Sequence, residues 1–251
     1  DSVTAKFKLD TDGDGIPDVT DDDDDNDGVK DTDETTDGTN TKDPNSIASK
    51  ITPIDDQTGV VGKEITPVTV TVEKIPTDGS VKVEGLPDGV SYDPATKQIT
   101  GTPTTEGVSK VTVTVLGKDG NPVKGADGKP VTETFTFTVT TKDADKYTPE
   151  YADTLVTPGK PATVTPTFKG KDNAETKAPE GATYSIPSDF KAPEGYTVTI
   201  DPNTGAITTE AKPGTKIEEV DVPVTVTYKD KSTDSVTAKF KLDTDGDGIP
   251  D

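Results

Sequence analysis

"EEVDVPVTVTYKD", residues 218–230, puts Val220, Val222, Val224, Val226 and Tyr228 on every second position, with polar residues or proline between them. A period of two marks a half-buried β-strand, because successive side chains point to opposite faces. The next run, "DSVTAKFKL" (234–242), repeats the device: Val236, Ala238, Phe240 and Leu242 share one face, and serine, threonine and lysine take the other. Similar runs predict strands near 65–74, 80–86, 90–93, 98–102, 110–118 and 131–141, separated by turn signals such as "LPDG", "DPATK" and "KDGN". Two related stretches, "VSYDPATKQIT" (90–100) and "VTIDPNTGAIT" (198–208), read as hairpins whose Asp-Pro starts a tight turn. The chain is therefore expected to be all-β, made of antiparallel sandwiches.

Only 27% of the 251 residues are apolar and 29% are charged, so the cores must be thin. Cysteine, methionine, tryptophan, histidine and arginine are absent, and all 26 basic residues are lysines. No disulfide framework exists, and no apolar run reaches the length of a signal peptide or membrane span. A net charge of −22 argues against partners such as nucleic acid and anionic membrane surfaces.

The peptide "DSVTAKFKLDTDGDGIPD" occurs twice, at 1–18 and at 234–251, without a mismatch. Such self-similarity points to an array of near-identical copies. Residues 1–9 then read as the last strand of a preceding copy, and 243–251 as the start of the next acidic segment.

Residues 10–34 carry 13 acidic groups against the single Lys30. A solvated linker is the plain reading of such a run, but its spacing is specific. Asp10, Asp12, Asp14, Gly15, Asp18 and Asp21 follow D-x-D-x-D-G-x-x-D-x-x-D, and Asp23, Asp25, Asp27, Gly28, Asp31 and Glu34 repeat it thirteen residues on. A Ca²⁺ ion takes six to eight oxygens, and one tight loop has to wrap around it. Carboxylates at the first, third and fifth positions point inward, and glycine at the sixth permits the turn. The seventh residue (Ile16 or Val29) offers its carbonyl, the ninth (Asp18 or Asp31) acts through water, and the twelfth (Asp21 or Glu34) closes the cage. At least two calcium ions are expected. Magnesium, which prefers a smaller, water-rich octahedral shell, fits less well. The stretch "DETTDGTNTKDPN" fails as a third loop, leaving Asp37 and Asp43 as candidates to assist a neighbouring ion.

These loops resemble thrombospondin type 3 repeats and the related calcium repeats of bacterial surface proteins, without the cysteines of the animal versions. An EF-hand would need a helix on each side, and "DSVTAKFKL" upstream reads as a strand, so the ions are expected in a linker. Residues 85–115, "GLPDGVSYDPATKQITGTPTTEGVSKVTVTV", resemble the putative Ig-like family of bacterial and cadherin-like surface proteins. "YTPEYADTLVTPGKPATVTPTF" (147–168) with the strands at 218–242 resembles the Rib or alpha-like repeat of Gram-positive cell-wall proteins. The expected order is a strand remnant (1–9), a calcium linker (10–45), an Ig-like sandwich (46–142), a Rib-like sandwich (143–242) and the next linker (243–251).

Without cysteine or histidine the usual nucleophile–base pairs are missing, and the densest carboxylates are accounted for by calcium, so no enzyme activity is expected. A direct adhesive module for a host protein or glycan is the alternative, but tryptophan and arginine, its usual anchors, are absent. The resemblances imply a stalk: an extracellular, cell-wall-anchored repeat, with anchor and signal outside this stretch, that projects an adhesin and supports adhesion or biofilm. Its partners would be adjacent copies in the same chain and surface proteins of other cells, with no membrane contact of its own. Calcium is expected to stiffen the linker, which would otherwise repel itself.

Overall fold

The computed structural model describes residues 3–251, and the chain divides into two compact units, Asp1–Thr140 and Thr141–Asp251. Nearly all regular structure is strand. The first unit contains β1 (Lys50–Ile51), β2 (Gln57–Val60), β3 (Val68–Thr69), β4 (Val72–Glu73), β5 (Ser80–Glu84), β6 (Val90–Asp93), β7 (Gln98–Gly101), β8 (Gly107–Leu116) and β9 (Thr132–Thr140). A four-stranded sheet runs β2-β9-β8-β5, a three-stranded one β3-β7-β6, and β1 pairs with β4. Val111, Val113 and Val115 from β8 and Phe135, Phe137 and Val139 from β9 meet Val90 and Ile99 of the smaller sheet in one buried cluster. The threonines between them face outward, as the alternation predicts.

The expected strand over 65–74 is two short ones. Val68 and Thr69 pair with β7, whereas Val72 and Glu73 pair with β1. The chain changes sheets at Val70, which is buried and whose N–H donates to the Lys97 carbonyl at 2.9 Å. A continuous apolar alternation is blind to such a crossing, because both sheets face the same core. Strands β1 and β2, at 50–51 and 57–60, have no alternation to announce them.

The second unit contains β10 (Tyr147–Glu150), β11 (Thr154–Val156), β12 (Ala162–Val164), β13 (Thr167–Gly170), β14 (Glu175–Thr176), β15 (Thr183–Ser185), β16 (Tyr196–Ile200), β17 (Ile207–Ala211), β18 (Glu219–Thr227) and β19 (Thr233–Leu242). Its largest sheet runs β11-β19-β18-β15, with three-stranded sheets β12-β17-β16 and β10-β13-β14 beside it. The run at 218–230 is β18: Val220, Val222, Val224, Val226 and Tyr228 are all buried, opposite Phe240, Ala238 and Val236 of β19. In both units the first strand of the large sheet lies parallel to the last one, β2 along β9 and β11 along β19.

Both expected hairpins form. Asp93 accepts the Ala95 N–H at 2.9 Å between β6 and β7, and Asp201 accepts the Asn203 N–H at 2.8 Å between β16 and β17. Gly205 closes the second turn at φ +70°, where a Cβ would also stand 2.7 Å from the Tyr184 ring.

One sequence meets two environments. Residues 234–242 form β19, with Phe240 fully buried, while the identical 1–9 has no strand over its described part, and Phe7 is 95% exposed. The expected strand remnant therefore pairs with no strand over residues 3–9, where the Leu9 carbonyl accepts the Asp18 N–H at 3.0 Å, and Asp1 and Ser2 lie outside the described residues. The sequence supplies one apolar face, and a neighbouring sheet has to cover it. Phe240→Ala is expected to cost the second unit about 3–5 kcal/mol, and Phe7→Ala to stay within about 0.5 kcal/mol. Urea unfolding followed by circular dichroism measures both, and equal losses would contradict the assignment.

Candidate metal centre

Three acidic loops share one hydrogen-bond pattern. The first-position carboxylate accepts two backbone N–H groups: Asp10 from Gly13 and Gly15 (2.9 and 3.2 Å), Asp23 from Asp27 and Gly28 (3.2 and 3.1 Å), and Asp243 from Gly246 and Gly248 (2.8 and 3.1 Å). The third-position acids Asp12, Asp25 and Asp245 and the fifth-position acids Asp14, Asp27 and Asp247 each accept the N–H two residues on. The sixth-position glycines Gly15, Gly28 and Gly248 have φ of +96°, +93° and +87°, a region closed to most side chains. As a result, one oxygen from each acid of a trio lies within 4.8 Å of the others, in Asp10/Asp12/Asp14, Asp23/Asp25/Asp27 and Asp243/Asp245/Asp247.

The ninth residue ties each loop shut. Thr11 donates its N–H and its hydroxyl to Asp18 at 2.8 and 2.9 Å, Asp24 donates its N–H to Asp31 at 3.0 Å, and Thr244 donates its N–H to Asp251 at 3.0 Å. Sequence spacing assigned Asp18 and Asp31 a water-mediated ligand role; the structure gives each carboxylate a backbone donor within its own loop. Asp21, in the twelfth position of the first loop, accepts the Asp23 N–H at 3.1 Å and so links the two loops.

The second loop differs from the first in burial. Asp10 and Asp14 are exposed or half-exposed, whereas Asp25 is 7% exposed, Asp27 3% and Glu34 0%. Glu34 is placed by a helix that the sequence reading did not expect, α1 (Asp31–Asp37). Threonine and aspartate are poor helix formers, so packing must hold this short helix. Its acidic first turn suits the helix dipole, and Gly38 at φ 77° ends it. Neither Glu34 oxygen has a hydrogen-bond partner, nor have Asp25 Oδ2 and Asp27 Oδ2. Burial, reinforced by the neighbouring acids, pushes the Asp25 and Glu34 carboxyls up to about 7 and Asp27 to about 6. Buried acceptors without donors are costly unless a cation joins them. The donor set is all oxygen, which suits a hard cation of the calcium type.

The segment expected as a free linker is joined to the β-sandwich at this point. The Thr77 N–H donates to the Asp27 carbonyl at 2.7 Å, Gly28 abuts the Thr77 side chain, and Val29 packs against the first unit's core. Ile16, its counterpart in the first loop, is 45% exposed. Asp37 and Asp43, the candidates for assisting an ion, pair with Lys74 and, at 3.4 Å, with Lys124. Lys42 escaped the sequence reading because it lies outside the thirteen-residue period. Its ammonium pairs with Asp18 of the first loop and lies 3.5 Å from Asp24 of the second. It holds the Asp18 carboxyl below its usual range, while burial raises that of Asp24.

Comparison with known proteins agrees with the two-unit division. The "Putative Ig domain" family model matches residues 44–140, and the "Long Rib domain" family model matches residues 144–243. The chain carries an Ig-like domain followed by a long Rib domain. Neither family is one of enzymes. Among curated proteins, the "Serine-rich adhesin for platelets" of Staphylococcus aureus strain N315 is 38% identical over 138 residues, 52% of this chain and 6% of that protein. Its counterpart in strain MRSA252 is 37% identical over 138 residues, covering 52% and 10%. The chain thus spans a tenth or less of these relatives. Among solved structures, the human desmocollin-1 ectodomain overlaps 78% of this chain and 42% of its own at a TM-score of 0.41 and 16% identity, too loosely to carry an argument.

The raised carboxyls give the metal-free domain an unusual pH dependence. In an unfolded chain these groups titrate near about 4. A carboxyl whose folded value is raised stabilises the fold below the unfolded value, and that contribution is lost as pH rises through the folded one. In chelator the first unit should therefore melt at a higher temperature near about pH 5 than near about pH 8. Saturating calcium should reverse the order, since protons compete for the ligands. A midpoint in chelator that is flat or rises with pH would contradict the geometry.

Proposed function

We propose that this chain is a repeat of a bacterial surface-protein stalk whose acidic loops bind at least two calcium ions, and that calcium stiffens it. The observation that carries the reading is Glu34, fully buried beside Asp25 and Asp27 with both oxygens unpartnered. Two bound ions would cancel four of the twelve net negative charges over residues 10–34 and fix the backbone around each trio. The matched adhesin and the Ig-like and Rib domains support a place outside the cell, anchored in a wall and presenting an adhesin, with adhesion or biofilm as the outcome.

A stalk is favoured over a direct ligand-binding module by the tyrosines. All six are buried or half-buried, so none is free to serve as an exposed anchor, and tryptophan and arginine are absent. Lysine pairs such as Lys239 with Glu219 and Asp221 line the outer strand faces instead.

Calorimetric titration should show two or more ions, with dissociation constants of order 10⁻⁴–10⁻³ M if the loops behave as extracellular calcium modules usually do. Glu34→Gln should weaken the second loop most. Small-angle scattering of two consecutive repeats should give a longer, stiffer particle in calcium than in chelator. Absence of binding at several millimolar calcium would remove the metal reading, whereas binding without a change in shape would remove only the stiffening.

A further inference from the structure

Lys42 lies between the two loops of the first unit. Its ammonium pairs with Asp18 and approaches Asp24, and both of these side chains are only 7% exposed. Asp18 is the residue that shuts the first loop through Thr11, and Asp24 donates its N–H to Asp31, which shuts the second. One chain of charged hydrogen bonds and ion pairs therefore runs Thr11–Asp18–Lys42–Asp24–Asp31. Asp24 Oδ1 has no partner, which leaves Lys42 as the cation that compensates this buried carboxylate.

The base of this bridge is firm. The Lys42 N–H donates to Asn40 Oδ1 at 3.3 Å, and the Asn40 N–H donates to the Ser46 hydroxyl at 2.9 Å. Ser46 bridges to Lys124 of the sandwich, and the Ile47 N–H donates to the Lys124 carbonyl at 3.0 Å. The lysine is thus carried on a turn fixed to the β-domain, while the first loop that it holds is largely exposed.

We propose that Lys42 is a positioning residue that makes calcium binding at the two loops positively cooperative. This rests on the calcium reading above. An ion in the second loop orders Asp23–Asp31, and with it Asp24 and the lysine that Asp24 holds. The ammonium then fixes Asp18, and Asp18 holds Thr11 and closes the first loop before its ion arrives. The ordering entropy of the first loop is met in advance, so its ion binds more tightly, and reciprocity requires the same gain in the other direction. Repulsion between two dications opposes this gain, but solvent and salt screen it over about 8–10 Å.

The test is a double-mutant cycle read at each loop separately. Gly15 and Gly28 belong to one loop each, and their amide resonances in a calcium titration of the full chain report the two affinities. Gly248, in the other unit, is the internal reference. Glu34→Gln should lower the affinity read at Gly15 by at least about fivefold, although Glu34 is not part of that loop. In a Lys42→Ala background the same change should leave Gly15 unmoved, and Lys42→Arg should restore the coupling. Lys42→Gln, which keeps a donor without the charge, replaces Lys42→Ala if the latter fails to fold. A Gly15 affinity indifferent to Glu34→Gln in the native chain overturns the proposal, and so does coupling of equal size without Lys42. If neither glycine responds to calcium, the metal reading falls and the coupling with it.

Discussion

The burial of Glu34 is the constraint on which the first unit depends. A carboxylate at zero exposure with no donor on either oxygen opposes folding by several kcal/mol unless a cation compensates it. Three features keep it there: the short helix α1, the positive φ of Gly28, and the bond from the Thr77 N–H to the Asp27 carbonyl. Each costs conformational freedom, and none buries much apolar surface. Such an arrangement makes sense when the acids close around an ion, because binding free energy then becomes folding free energy.

A division of labour between the loops follows. The second loop is docked on the sandwich of the first unit: the Asp27 carbonyl, Gly28 and Val29 all touch it. The first loop shares the same internal hydrogen bonds but leaves Ile16 and Asp14 exposed and buries none of its acids as deeply as Asp25, Asp27 and Glu34 are buried. Under the proposed calcium reading, an ion at the second loop would be a structural ion of the first unit, and one at the first would act on the exposed stretch that follows the peptide of residues 1–9. Since 234–251 repeats 1–18, the stretch that follows β19 carries the same loop.

Much of this was legible in the sequence. Period-two alternation located β8, β9, β18 and β19, because each buries one face of a sheet and the pattern records that burial directly. It failed where the chain changes sheets at Val70, since hydrogen-bond partners leave no trace in apolarity. The spacing of aspartates and glycines located the first two trios because loop geometry is local, and the repeat of 1–18 at 234–251 carries the third. What it missed is non-local: the docking of Gly28 on Thr77, the helix that carries Glu34, and the bridge from Lys42 to both loops. The backbone bonds of the ninth-position acids Asp18 and Asp31 were likewise not legible, since spacing alone does not say which groups of its own loop a carboxylate accepts from.

The most direct test of the central claim is an anomalous diffraction map from crystals of this chain grown with calcium and soaked with a heavier lanthanide in its place. The account predicts a strong peak enclosed by Asp23, Asp25, Asp27 and Glu34, with Glu34 still carried on its helix. A refined structure with no peak there, and with Glu34 turned to solvent or to a lysine, would contradict it.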